Sequence, residues 1–135
     1  MNNVKKSQSE SKSGREKTLL EYIYEIKEQV SFSEFEGTEE EDRAEELCRM
    51  MAKIMCLPDS AEISIGGEKM KAAIVKETYS LITYTHICHV MENFSKIDYP
   101  VNNKISYLRT ALFNSTDEAY HKIENDVNRW MSNDK

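Results

Sequence analysis

Three residues with ligand chemistry, His86, Cys88 and His89, fall within four positions of one another, and Cys48 and Cys56 lie upstream in the same 135-residue chain. Imidazole nitrogen and thiolate sulfur are ligands that zinc prefers, so a metal site is the first chemistry to weigh. The spacing argues against it. On a helix His86 and His89 share a face while Cys88 is rotated away among apolar neighbours, and no CxxC pair exists to complete a tetrahedral set. Cys88 with His86 or His121 could form a thiol–imidazole couple, but nothing around Cys88 resembles a loop that presents a nucleophile. Gly66-Gly67 could cradle a phosphate, yet no Lys-Ser/Thr follows and no full glycine-rich fingerprint is present. The residues therefore predict no enzymatic activity, no metal and no cofactor, with His86 in a packing or capping role.

A chemistry of recognition is offered nearer the C-terminus. Tyr107, Arg109 and Asn114 accompany an apolar stripe, and Lys122, Arg129 and Trp130 follow. Their plain structural use is Tyr107 as a core plug, Asn114 as a helix C-cap and Trp130 as a lid over the core. Their functional use is to edge a surface for a protein partner or DNA, with Trp130 as an interface anchor.

Charge narrows the class of partner. Residues 1–17 carry five Lys/Arg against two Glu, a net of +3, so the remaining residues carry −9 of the chain's −6 total. Eleven carboxylates against two cations in residues 18–46 account for all of that −9. Such a body repels phosphate, which argues against a primary reader of duplex DNA. Any DNA binding through the basic tail is expected to be weak. The N-terminus has lysines but no apolar stretch behind them, no window is long enough to span a membrane, and three cysteines without a secretory signal read as reduced thiols. A cytoplasmic protein is the expectation.

The elements that must position these residues are mostly helices. Residues 1–15 read as a disordered basic tail, and residues 16–135 as one domain. A first helix is predicted from about Glu16 to Gln29, with Leu19, Leu20, Ile23, Ile26 and Val30 at helical spacing. The polar break SFSEFEGTEEED holds Gly37 as punctuation and Thr38 as the N-cap of a second helix, which turns Ala44, Leu47, Met51, Ile54 and Met55 inward and closes before Pro58. Ile63 and Ile65 alternate with polar residues ahead of Gly66-Gly67, which predicts a β-hairpin. Helices follow from about Lys71 to Tyr79 and, capped by Thr83, from Tyr84 to Ser95, the latter burying Ile87, Val90, Met91 and Phe94. Another starts at Lys104 behind Asn102-Asn103, presents Ile105, Leu108, Ala111 and Leu112 to the core, and stops near Asn114. Ser115-Thr116-Asp117-Glu118 has capping-box form and opens a last helix with Ile123, Val127, Trp130 and Met131. The prediction is a mainly α bundle of about six helices with one short hairpin.

Three of these segments carry a resemblance. Ile63-Ser-Ile65-Gly66-Gly67-Glu68, then Tyr84-Thr-His86-Ile87-Cys-His-Val90, then Asn103-Lys-Ile-Ser-Tyr107-Leu108-Arg-Thr110-Ala111-Leu112-Phe-Asn114 follow one another in order. Together they resemble the C-terminal domain of replication initiator protein A, the RepA family of plasmids and mobile elements in Gram-positive bacteria. That family is similar in turn to the DnaD replication proteins, whose helix signature places its tyrosine on Tyr107, its apolar pair on Ala111 and Leu112, and its tryptophan on Ser115, where this chain departs. Initiators of the family also carry an N-terminal winged-helix domain for which this chain has no room, so an accessory domain alone, or a fragment of a longer initiator, is expected. The resemblance implies a DnaD-like fold, His86 in packing or capping, and a non-enzymatic role in replication initiation: recruiting a host primase or helicase-loading protein to an origin. Its alternatives are a DnaD-type DNA-binding module and a free-standing decoy that competes with a full-length initiator.

Overall fold

The computed structural model describes residues 16–98 and 100–117. Thr18 opens the first helix: its hydroxyl accepts the Glu21 N–H at 3.2 Å while the Glu21 carboxylate accepts the Thr18 N–H at 2.8 Å. This reciprocal capping box starts α1 (Leu19–Gln29) three residues later than the apolar spacing predicts. Ile23, Ile26 and the C-cap Val30 form its buried stripe, and Leu20, about 120° around the helix from Ile26, stays 65% exposed.

The polar break after α1 hides two core residues. A 3-10 turn, Phe32–Glu34, is entered through Ser31 at φ 55° and followed by Gly37 at φ 80°. The left-handed Ser31 turns the chain so that Phe32 and Phe35 point inward, and both are buried. Thr38 does not cap the next helix. Its hydroxyl donates to the Phe35 carbonyl at 2.6 Å and accepts the Glu40 N–H at 3.2 Å, so it shapes the turn, and α2 (Glu41–Met55) begins three residues on. Ala44, Leu47, Cys48, Met51, Ala52 and Ile54 line the inner face of α2, with Met55 half-buried. Lys27 of α1 pairs with Glu45 of α2 at 2.6 Å, and its ammonium lies 4.4 Å from the centre of the Phe32 ring.

The hairpin forms as the Ile-x-Ile alternation and the glycine pair dictate. Strand β1 (Glu62–Ile65) runs antiparallel to β2 (Glu68–Lys71) with Ile63 opposite Met70 and Ile65 opposite Glu68. Gly66 at φ 60° and Gly67 at φ 87° make the two-residue turn, a conformation that a side chain disfavours. Helix α3 (Ala72–Tyr79) follows without a linker and buries Ala72, Val75 and Tyr79. Its C-terminal end is closed from outside: the Gln29 side-chain amide donates to the carbonyls of Tyr79 (3.0 Å) and Ile82 (2.7 Å). Helix α4 (Tyr84–Ser95) is capped by Thr83 as expected and buries Ile87, Val90 and Met91, with Phe94 half-buried.

The last described helix, α5, covers residues 104–117. Asn103 caps it, its side-chain oxygen accepting the Ser106 N–H at 3.0 Å. Leu108 and Leu112 are fully buried and Ala111 is half-buried, but Ile105 is 54% exposed, about 60° off the Leu108 direction, so it does not face the core. Nor does the helix stop at Asn114. Ser115 lies inside it, fully buried, and its hydroxyl donates to the Leu112 carbonyl at 2.7 Å. That back-bond satisfies the hydroxyl within the helix and removes it from capping duty, so the helix break predicted here is absent. The sixth predicted helix, with Ile123, Val127 and Met131, lies outside the described residues. Among those described, five α-helices and one two-stranded hairpin make a mainly α fold around one core.

Candidate recognition face between α4 and α5

Helix α5 is held from three directions. The Gly66 N–H at the hairpin tip donates to the Thr110 hydroxyl at 3.0 Å, the buried Tyr79 phenol at the end of α3 donates to the Arg109 carbonyl at 2.8 Å, and the Phe94 ring of α4 packs against Tyr107 at 5.8 Å between centres. Lys104 adds an ion pair to Glu46 of α2 at 3.1 Å. Burial pushes the Tyr79 phenol far above the ordinary tyrosine value, which keeps it a donor at any physiological pH.

Between α4 and α5 this packing leaves a hollow of about 160 Å³, lined by His89, Val90, Asn93, Tyr107, Thr110, Ala111 and Asn114. Val90 and Ala111 supply the apolar part, and amide, imidazole and hydroxyl groups the rest. Its volume falls below the roughly 300–1,000 Å³ of small-molecule sites, so it suits one anchoring side chain with polar groups to orient the attached backbone. Tyr107 and Asn114 thus meet on one face, as the sequence suggests. Arg109 does not join them. Two residues from Tyr107, it points about 200° around the helix; it is half-buried, and what it contributes inward is its backbone carbonyl. Lys122, Arg129 and Trp130 lie outside the described residues. The sequence offers His89 as a metal ligand and Thr110 as part of a motif but points neither them nor Asn93 to this face, although 107, 110, 111 and 114 have the i, i+3, i+4, i+7 spacing of one helical face.

Of the other residues with ligand chemistry, Cys56 is an exposed free thiol and the rest are bonded or partly to fully buried. His86 Nδ1 accepts the Thr83 N–H at 2.9 Å and lies 3.1 Å from its hydroxyl, so the capping role holds, and His89 Nε2 is 3.2 Å from the Asn93 amide. Among the described residues no three His, Cys, Asp or Glu side chains come together in a metal-binding group. Cys48 is buried, which pushes its thiol up to about 11 and leaves it protonated and unreactive. The neighbouring Cys88 thiol first, and the carboxylates of Glu34 and Glu40 after it, hold the Tyr84 phenol above its ordinary value.

A second, wider hollow of about 590 Å³ opens between the start of α2 and the end of α4. Glu39, Glu40, Asp42, Glu46 and Glu92 rim it over Met91 and Phe94. Arg43 bonds Glu46 at 2.8 Å and lies 4.6 Å from the Phe94 ring centre. Its acidic rim, one side of the Phe94–Tyr107 contact, sets a potential unfavourable to phosphate across this part of the surface. No described helix is long and apolar enough to cross a membrane.

Comparison with protein-family models, with curated proteins and with solved structures gives no match.

Proposed function

We propose that this chain is a non-enzymatic accessory domain of plasmid or mobile-element replication initiation, which recruits a host replication protein of the primase or helicase-loading class through the α4–α5 face. The observation that carries the reading is the convergence on α5 of the three segments that resemble the initiator A family. The hairpin tip meets Thr110, and α4 meets Tyr107 and encloses the hollow with Ala111 and Asn114. Two of the segments, on α4 and α5, thereby line one small surface and the hairpin tip bonds Thr110 at its edge, the use expected of a binding module with a shared pattern. Acidic charge beside the hollow favours a protein partner over a nucleic-acid backbone.

Fluorescence anisotropy with short single- and double-stranded oligonucleotides tests the choice, using the full chain and a form starting at Thr18, each at low and at physiological salt. The reading predicts weak binding by the full chain that falls steeply with salt and disappears with the five tail cations. Tight, salt-resistant binding by the truncated form would replace it with a DNA-binding module.

A further inference from the structure

We propose that His86 is a proton-operated cap: in its neutral form it closes the N-terminus of α4, and on protonation it releases the first turn of the helix whose next turn lines the α4–α5 hollow. Position N3 of a capping box is normally glutamate or glutamine, which reaches back to the N-cap N–H. Here an imidazole occupies it, with the reciprocal box arrangement intact. The Thr83 N–H donates to Nδ1 at 2.9 Å. A ring nitrogen accepts only when it carries no proton, so the bond fixes the neutral tautomer with its proton on Nε2. Protonation makes both ring nitrogens donors. The Thr83 N–H then faces N–H, and a positive ring sits at the positive end of the helix dipole, so cap and dipole oppose it together.

The surroundings lean the same way. Partial burial and the neighbouring His89 hold the His86 ring below the ordinary histidine value. Of the titratable groups on α4, His89 acts on this ring, and Tyr84 and Cys88 interact with each other. From the turn before α2, Glu34 and Glu40 act on Tyr84 rather than on His86. Among the described residues the side-chain hydrogen bonds of His86 are the two to Thr83, and no described carboxylate bonds the ring to stabilise its charged form. His89 and Asn93, one and two turns on, border the hollow. Loosening the cap therefore acts first on the end of α4 that leads into the recognition face, whichever partner that face receives.

The test is NMR on the full chain. In the wild type near neutral pH, long-range nitrogen–proton spectra should show His86 with its proton on Nε2; a proton on Nδ1 would overturn the proposal. Lowering the pH through the His86 titration should shift the Thr83 amide resonance in step. It should also cut hydrogen-exchange protection in the first turn of α4, corrected for intrinsic exchange chemistry, by on the order of fivefold, the scale of a lost N-cap. His86→Glu restores the usual box and should abolish that response, whereas His89→Gln should preserve it. A Thr83 amide indifferent to the titration, an equal response in His86→Glu, or loss of the response in His89→Gln would each refute the mechanism.

Discussion

Replacing Gln29 should reveal how much of the fold depends on one side chain closing a neighbouring helix. Its amide donates to two carbonyls where α3 ends, Ile82 at 2.7 Å and Tyr79 at 3.0 Å, the latter also accepting the Ile82 N–H at 3.1 Å. Gln29→Met keeps the length and the packing but supplies no donor. Each hydrogen bond contributes about 0.5–1.5 kcal/mol net. The site is only half-buried, so water can partly replace the amide, and the expected loss is about 1–2 kcal/mol. For a domain of this order that lowers the melting temperature by roughly 4–10 °C. Gln29→Glu should be worse at neutral pH, because a carboxylate then faces two carbonyl oxygens at the negative end of a helix. The same repulsion raises the folded-state pKa of that carboxyl above its unfolded value. Its extra destabilisation is therefore full above the folded pKa and fades as pH falls through it, where the protonated acid can donate one bond. Thermal melts followed by circular dichroism at neutral pH and near pH 4 check both variants. If Gln29→Glu melts with the wild type at neutral pH, the bridge from α1 to the end of α3 does not exist.

Tyr79→Phe removes the donor to the Arg109 carbonyl while keeping the ring, and should cost about 0.5–1.5 kcal/mol in a denaturant melt. Leu108→Ala and Leu112→Ala, both at fully buried positions of α5, should each cost roughly 2–5 kcal/mol by the same assay. Arg109→Ala should stay within about 0.5 kcal/mol, since the inward bond at that position comes from the backbone; an unfolded variant would show that the side chain has been placed wrongly. With the folded-state pKa of His86 lowered, the unfolded chain takes up the proton first as pH falls. Stability should therefore be full above the ordinary histidine pKa of about 6.5 and should decline below it until the folded pKa is passed, a slope that His86→Glu should remove from a melting-temperature profile.

Much of the architecture was legible where one local rule acted without competition. The Ile-x-Ile alternation with Gly66-Gly67 has one low-strain solution, and the hairpin is at that place. Thr83 and Asn103 cap the helices their types predict. Reading failed where a local signal was outvoted by tertiary context. Phe32 and Phe35 sit in a run that scores as polar, and only a left-handed Ser31, invisible to periodicity, turns them into the core. Ser115 has the type and spacing of a cap, yet a buried helical position lets it bond back to Leu112. Ile105 shares the apolar character of Leu108 but not its direction, once the hairpin, α3 and α4 have fixed the rotation of α5. For the site, the pattern of one helix is enough to point to Tyr107 and Asn114. Their partners His89 and Asn93 depend on how α4 crosses α5, a long-range fact that no single-helix pattern contains.

Binding of the purified protein to a purified replicative primase and to a purified helicase loader from a Gram-positive bacterium, followed by titration calorimetry, bears most directly on the central claim. Wild type should be compared with Asn93→Arg and Asn114→Arg, two exposed positions on the rim of the hollow. The account predicts saturable binding to one of the two proteins, weakened by tenfold or more in both variants, roughly the effect of losing more than 1 kcal/mol at an interface anchor, with melting temperatures unchanged. Binding to neither protein, or binding that both arginine variants leave untouched, would contradict it.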